Sequence, residues 1–346
     1  MKYLLIDGNN LAIRASFANE SLTNKDGIPT GVHYGVFNSI INLKQSYSDY
    51  QFLFVWDGKS KRRMIEADAG VKDGLIKSGY KANRKKDEQP KPLLDFYAQS
   101  PYLKKGLDQT GIPQIRLEDF ESDDVISSYC KKLSSDEIVV VTSDYDYLQI
   151  LRDNVSIWDG MKSKLTTKKS FIEEYKIQPS QYVDVGALMG DPGDNIFGIT
   201  GWGDKTALEA IQQHGSWENV YKEFHKTYGG LRQQFPDLTD PSEFKKLESI
   251  TTKSGKSKYA EITIGMPYSG VTLAVEEKKT KTISKNILMA LMFEARVKLA
   301  YSLKKMDSDI ENLPNITQGT ANEQRLIEYF QYYDMVSLLD SIAVFK

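Results

Sequence analysis

Three short apolar runs in this 346-residue chain each end in an aspartate. Tyr3–Ile6 stops at Asp7 and its turn Gly8-Asn9-Asn10, Gln51–Trp56 stops at Asp57-Gly58, and Glu137–Thr142 runs through Ser143 to Asp144. The runs are continuous and rich in branched or aromatic residues, the pattern of strands covered on both faces. Helical spacing separates them over Leu11–Phe17, over Tyr34–Tyr47 (through Val36, Phe37, Ile40, Ile41 and Leu43) and over Leu93–Leu107, and Gln114–Leu117 reads as a further strand. Strands alternating with helices predict an α/β fold with a mainly parallel central sheet. The carboxyl ends of such strands line one edge, where ligands bind. Three aspartates therefore converge on that edge.

One aspartate after a strand is an ordinary turn former. The stretch Glu121-Ser122-Asp123-Asp124, which opens a helix after Gln114–Leu117, also has an ordinary reading, since acids in a first turn complement the helix dipole and cap free N–H groups. Taken together the acids are harder to explain as turns and caps, because packed like charges raise one another's pKa unless cations are present. A divalent metal centre resolves the conflict. Cys130 is the only cysteine, and His33, His214 and His225 are scattered, so neither an internal disulfide nor a thiolate zinc site is available. Oxygen-only ligands suit Mg²⁺ or Mn²⁺. The surplus of carboxylates suits two ions roughly 4 Å apart, the arrangement used for in-line phosphoryl chemistry. Phosphodiester hydrolysis is the leading chemistry.

A net charge of −2 does not by itself point to nucleic acid, but its distribution does. From Lys59 to Lys91 there are eleven Lys/Arg against five Asp/Glu, either a solvated lysine-rich loop or a footprint for phosphates. Further on, Gly190-Asp191-Pro192-Gly193-Asp194-Asn195 precedes a Gly-x-x-Gly-x-Gly turn (Gly198, Gly201, Gly203) that feeds Lys205-Thr206 and a helix Ala207–Gln213. The open N–H groups of such a turn, the helix dipole and Lys205 make an anion site, although a plain connection between helices has the same residues. No run approaches membrane-spanning length, and the N-terminus turns too soon for a signal peptide, which predicts a soluble protein of the reducing cytoplasm. Beyond His225, Thr251–Lys258 reads as a basic loop, Tyr259–Ile264 and Val271–Val275 as a hairpin, Ile287–Tyr301 as an apolar helix, and Glu323–Phe345 as terminal helices.

In this order the motifs resemble the 5′-nuclease (flap endonuclease-like, PIN-type) family over roughly residues 1–215. They are Asp7-Gly8-Asn9-Asn10, Pro29-Thr30-Gly31 with Tyr34-Gly35, Val55-Trp56-Asp57-Gly58 and Tyr80-Lys81-Ala82-Asn83-Arg84. Glu121-Ser122-Asp123-Asp124, Thr142-Ser143-Asp144-Tyr145-Asp146 and Gly190-Asp191 through Asp194-Asn195 complete the set. The resemblance implies a PIN-like nuclease domain over 1–180 with a helical arch or gateway at about 59–92, then a second region, 181–346, holding a helix–hairpin–helix at about 190–215. It implies one ion on Asp7, Asp57, Glu121 and Asp123, and a second on Asp144, Asp146 and Asp194, with Asp124 and Asp191 shared or acting through water. Lys81 and Arg84 would contact the scissile phosphate, Tyr80 would guide the displaced nucleotide, and Gly198, Gly201, Gly203, Lys205 and Thr206 would grip duplex phosphates, with K⁺ at the hairpin as in some relatives. Trp202 stands where the family has a small aliphatic residue, and Phe197 where proline is common.

The expected activity is metal-dependent 5′→3′ cleavage of RNA primers or 5′ flaps by a monomeric, phage-like standalone enzyme. Its substrates would be flapped or nicked DNA and RNA–DNA hybrid, and a single-strand-binding protein or replicative polymerase its partner. Two rival expectations are a structure-specific DNA-binding protein without catalysis and a PIN-type ribonuclease. The full set of nine carboxylates weighs against the first, and the duplex-gripping parts weigh against the second.

Overall fold

The computed structural model describes residues 1–84, 88–199, 201–232, 244–251, 257–264, 272–276 and 293–346. They form two compact units, one of residues 1–61, 84–180 and 306–346, the other of residues 62–83 and 181–305. This interleaving differs from a single division after residue 180: part of the basic segment goes to the second unit, and the C-terminal residues return to the first.

The first unit is built on six strands: β1 (Lys2–Asp7), β2 (Gln51–Trp56), β3 (Gln114–Arg116), β4 (Glu137–Val141), β5 (Val155–Asp159) and β6 (Lys164–Thr166). Their order is β3-β2-β1-β4-β5-β6, parallel throughout except for the β5–β6 pair. The mainly parallel sheet matches expectation. Strand β5 went unread because Ser156 and Asp159 interrupt a five-residue run, and it is the pairing Val140↔Ile157 with β4 that makes it a strand. Two helices, α1 (Gly8–Ala18) and α2 (Gly31–Ser46), begin three residues before the apolar spacing starts. For α1 the reason is local: the Asp7 side chain accepts from the Asn10 N–H and caps the helix at the strand end.

One core holds this unit together. Leu4, Ile6, Phe52 and Phe54 from the strands meet Val36, Phe37 and Ile40 of α2, and Phe330 and Phe345 from the C-terminal residues close the same cluster. Helices Lys91–Asp108, Ser122–Lys132 and Glu323–Tyr332 belong to this unit, and a 3₁₀ stretch, Val336–Phe345, takes the place of the last expected helix.

In the second unit Lys61–Lys72 is a helix, in keeping with the expected helical arch and not with a solvated loop, because Arg63, Ala67 and Gly70 form a buried stripe at helical spacing beneath the lysines. The boundary residue Lys61 itself falls in the first unit. Helices Tyr182–Met189, Asp204–His214, Trp217–Arg232 and Glu294–Lys304 follow. The expected hairpin pairs Tyr259↔Glu276 antiparallel, and Phe244–Thr251 adds a third strand. Residues 252–256 of the expected basic loop and 287–292 of the expected apolar helix lie outside the described residues, as do Lys85, Lys86 and Asp87. Among the described residues no helix is long and apolar enough to cross a membrane.

Candidate metal centre

The pairings Asp7↔Val55 and Ile6↔Val141 bring the ends of β1, β2 and β4 level, so Asp7, Asp57 and Asp144 leave one edge of the sheet. Gly58 then brings in the acidic helix start. Its N–H donates to the Phe120 carbonyl at 2.8 Å, and a Cβ there would lie 2.0 Å from the Leu117 oxygen, so no other residue permits this approach. As a result Ser122 donates to Asp57 Oδ1 through its N–H at 2.8 Å and its Oγ at 2.6 Å. The same Oγ lies 3.2 Å from Asp7 Oδ1.

Asp7 is buried, 5% exposed, and its Oδ2 accepts from the Tyr147 hydroxyl at 3.1 Å and Thr142 Oγ1 at 3.4 Å. Burial, followed by the charges of Asp57 and Asp144, pushes its carboxyl up to about 8, although the Asn10 N–H and the Tyr147 hydroxyl pull the other way.

The remaining acids of this unit are engaged individually. Asp144 caps the turn after β4 by accepting from the Asp146 N–H at 2.9 Å, and Asp123 accepts from the Asp124 N–H at 2.8 Å. Glu121 is buried at the cap position of its helix without making a cap bond. Asp124, 1% exposed, accepts from the Asp307 N–H at 2.7 Å, which ties the acidic helix to the C-terminal residues. Among the described residues no three Asp, Glu, His or Cys side chains close on one point as metal ligands. The acids are thus oxygen-only and share an edge, where N–H and O–H donors hold Asp7, Asp57, Asp123, Asp124 and Asp144 individually.

The second unit carries its own acid turn. Asp191 accepts from the N–H groups of Gly193 and Asp194 and pairs with Lys304 Nζ at 3.0 Å. Burial acts to raise the Asp191 carboxyl, but the Lys304 ammonium and the turn N–H groups outweigh it and hold the carboxyl below its usual range. Tyr80 and Lys81 dock on the same turn. The Tyr80 hydroxyl donates to Asp194 Oδ2 at 3.0 Å, the Lys81 N–H donates to the Asp194 carbonyl at 2.9 Å, and Lys81 Nζ stands 3.7 Å from Asp194 Oδ2. Arg84 is exposed and belongs to the first unit.

At Gly198 a Cβ would meet the Gly190 nitrogen at 2.4 Å and the Leu188 oxygen at 2.5 Å, so packing alone requires a glycine there. Gly203 is the cap residue of helix Asp204–His214 with open space around it, and Lys205 and Thr206 follow in the first turn next to Gly201 and the buried Trp202. Sequence reasoning missed Ser122, Tyr147 and Lys304 as partners of the acids. Ser122 and Tyr147 sit inside the acidic motifs and were within reach. Lys304 has no local signal, since nothing near it in the chain marks Asp191 as its partner.

Residues 2–176 match the model of the 5′-3′ exonuclease N-terminal resolvase-like domain, and residues 177–264 that of the 5′-3′ exonuclease C-terminal SAM fold. A 5′-3′ exonuclease of Aquifex aeolicus is 32% identical over 236 residues, covering 67% of this chain and 75% of that protein. DNA polymerase I of Caldicellulosiruptor bescii is 31% identical over 314 residues, 86% of this chain and 33% of the polymerase, so the chain spans about a third of that relative. Among solved structures, T5 5′-exonuclease with bound zinc aligns along the whole of both chains with a TM-score of 0.59 at 18% identity. The catalytic core of Rad2 in complex with DNA substrate gives a TM-score of 0.54 at 13% identity, covering 99% of this chain and 91% of that one. At such identities these two neighbours speak for the fold.

Proposed function

The chain belongs to the 5′-3′ exonuclease family, and from that premise we propose that it is a divalent-metal-dependent nuclease that hydrolyses phosphodiester bonds from the 5′ end of DNA or of RNA–DNA hybrid. The observation that carries this reading is the shared edge of Asp7, Asp57 and Asp144, with Ser122 spanning the first two.

The donor set fits Mg²⁺ or Mn²⁺: oxygen ligands only, and no histidine or thiolate among Asp7, Asp57, Glu121, Asp123, Asp144 and Asp146. A divalent cation held there supplies Lewis-acid stabilisation of the phosphate oxygens and a nucleophile at neutral pH. The chain's own residues do the rest. Ser122, Tyr147 and Thr142 orient Asp7, and the Asn10 amide oxygen accepts from the N–H and Oγ of Ser143, which fixes the backbone just before Asp144. In the second unit, Asp191 and Asp194 as metal ligands, Tyr80 and Lys81 as substrate contacts, and K⁺ at the helix–hairpin–helix of about 190–215 are supported by the family motifs. On this reading duplex phosphates meet the first turn of helix Asp204–His214, where contacts position DNA without reading its sequence.

Cleavage of a 5′-labelled flap, a nicked duplex and an RNA–DNA hybrid in Mg²⁺, by wild type and Asp144→Asn, tests the proposal. Metal-dependent release of short 5′ products by wild type, lost in the variant, is expected. Binding of these substrates without any metal-dependent cleavage would overturn it, and equal cutting of unstructured RNA would favour a ribonuclease.

A further inference from the structure

Lys304 closes the helix Glu294–Lys304, yet its side chain is only 5% exposed, against 31% for the Asp191 carboxylate that it reaches. An ammonium is seldom buried to this degree unless it is paired. Neighbours in the same unit prepare its place. The stem of Lys304 lies across Gly186 of helix Tyr182–Met189, where a Cβ would stand 3.1 Å from Lys304 Cε. Arg62 donates to the Ser302 and Lys305 carbonyls, both at 2.7 Å, and so fixes the last turn that carries Lys304.

Both oxygens of Asp191 are engaged as a result. Oδ1 accepts from the Gly193 N–H at 2.8 Å and the Asp194 N–H at 3.3 Å, while Oδ2 takes the Lys304 ammonium at 3.0 Å. Three residues on, Asp194 meets a second lysine, with Lys81 Nζ at 3.7 Å from its Oδ2. A hard cation such as Mg²⁺ sits about 2.1 Å from a carboxylate oxygen, so one on Asp191 Oδ2 would stand no more than roughly 5 Å from the ammonium. Like charges at that separation repel.

We propose that Lys304 is a built-in counter-ion: its ammonium holds the place of a divalent cation at Asp191 and gives it up when one binds. The inference rests on the metal-dependent reading of the acid turn and goes beyond it. A lysine suits such an exchange, being a compact point charge on a flexible stem, and has no fork to lock it on the carboxylate. Two consequences follow from the geometry. The acid turn keeps its shape and its charge balance without metal, and its metal affinity is lowered because each ion must first displace the ammonium.

The test is calorimetric titration of Mn²⁺ into metal-free wild type, Lys304→Met, Lys304→Gln and Lys305→Met, with thermal melts in chelator showing which forms are folded. One class of Mn²⁺ site should bind about tenfold tighter in both Lys304 variants than in wild type. Lys305→Met removes the same charge from the exposed neighbour and should match wild type. Adding Asp191→Asn to Lys304→Met should abolish the gain. Should Lys304→Met fail to fold, Lys304→Gln, whose amide can still donate to Asp191, carries the comparison.

Equal affinities in wild type and the folded Lys304 variants overturn the proposal. So does a gain that survives Asp191→Asn or appears equally in Lys305→Met. Because the titration contains no nucleic acid, the two ideas fail separately. Ordinary Mn²⁺ binding that ignores Lys304 refutes the counter-ion alone, whereas no Mn²⁺ binding by any form overturns the metal-dependent reading together with it.

Discussion

The smallest group in the acid edge has the most to hold. Ser122 reaches Asp7 and Asp57 with one hydroxyl, while its N–H fixes Asp57 independently. Ser122→Ala should therefore leave the fold intact and Asp57 anchored but let Asp7 drift, which lowers single-turnover cleavage in Mg²⁺ about tenfold with little change in duplex affinity. A different residue governs acid stability. His33 is fully buried, stacked on Tyr333 and hydrogen-bonded to Tyr329 and Gln99, and burial lowers its pKa to about 4 despite the Gln99 contact. The unfolded chain takes up this proton near pH 6.5 and the folded chain only near 4. Stability is thus fully present above 6.5 and falls as pH drops through that window, by on the order of 3 kcal/mol from this one ring. Between pH 7 and pH 5, urea unfolding should show about 2 kcal/mol of that loss in wild type and a shallower one in His33→Phe. Lys304 makes the third prediction at this scale. Its removal in Lys304→Met leaves the half-buried Asp191 without its cation and should cost about 2 kcal/mol of stability, read by urea unfolding.

At the level of elements, the site exists because a turn after β2 is pressed against the turn before the acidic helix. Gly58 is the point of closest approach, and Gly58→Ala would drive a methyl into the Leu117, Glu118 and Phe120 carbonyls. That variant should lose at least about 2 kcal/mol and, with it, the Asp57–Ser122 contact, so that activity falls even where the protein stays folded. Much of this level was legible. The parallel strands announced themselves as unbroken apolar runs, and their terminal aspartates followed from the rule that strand ends share an edge. What periodicity alone did not show was amphipathic rather than apolar. The helix Lys61–Lys72 buries only Arg63, Ala67 and Gly70, a stripe that a lysine-rich composition masks. The close backbone approach of Gly198 to Gly190 was hidden for a related reason, since no local pattern records it.

Across the whole molecule, chain order and spatial order part company. Residues 306–346 close the core of the first unit, with Phe330 and Phe345 joining Leu4 and Phe54, although nearly the entire second unit intervenes in sequence. Local periodicity showed helices there but not what they pack on, and the partnership of Asp124 with Asp307 was invisible for the same reason. The shared edge of Asp7, Asp57 and Asp144, by contrast, was legible on paper, because these acids belong to strand ends whose direction the fold class dictates. Asp123 is the residue where the competing readings of that edge diverge most, as part of a helix cap or as a reactive-centre ligand. The decisive measurement is cleavage of a 5′-labelled flap duplex in Mg²⁺ by wild type and Asp123→Ala, with affinity for the same duplex measured alongside. If the carboxylate edge performs the chemistry, Asp123→Ala binds as wild type does and releases no product. Cleavage by Asp123→Ala at the wild-type rate would contradict it and return the acidic helix start to the role of a cap.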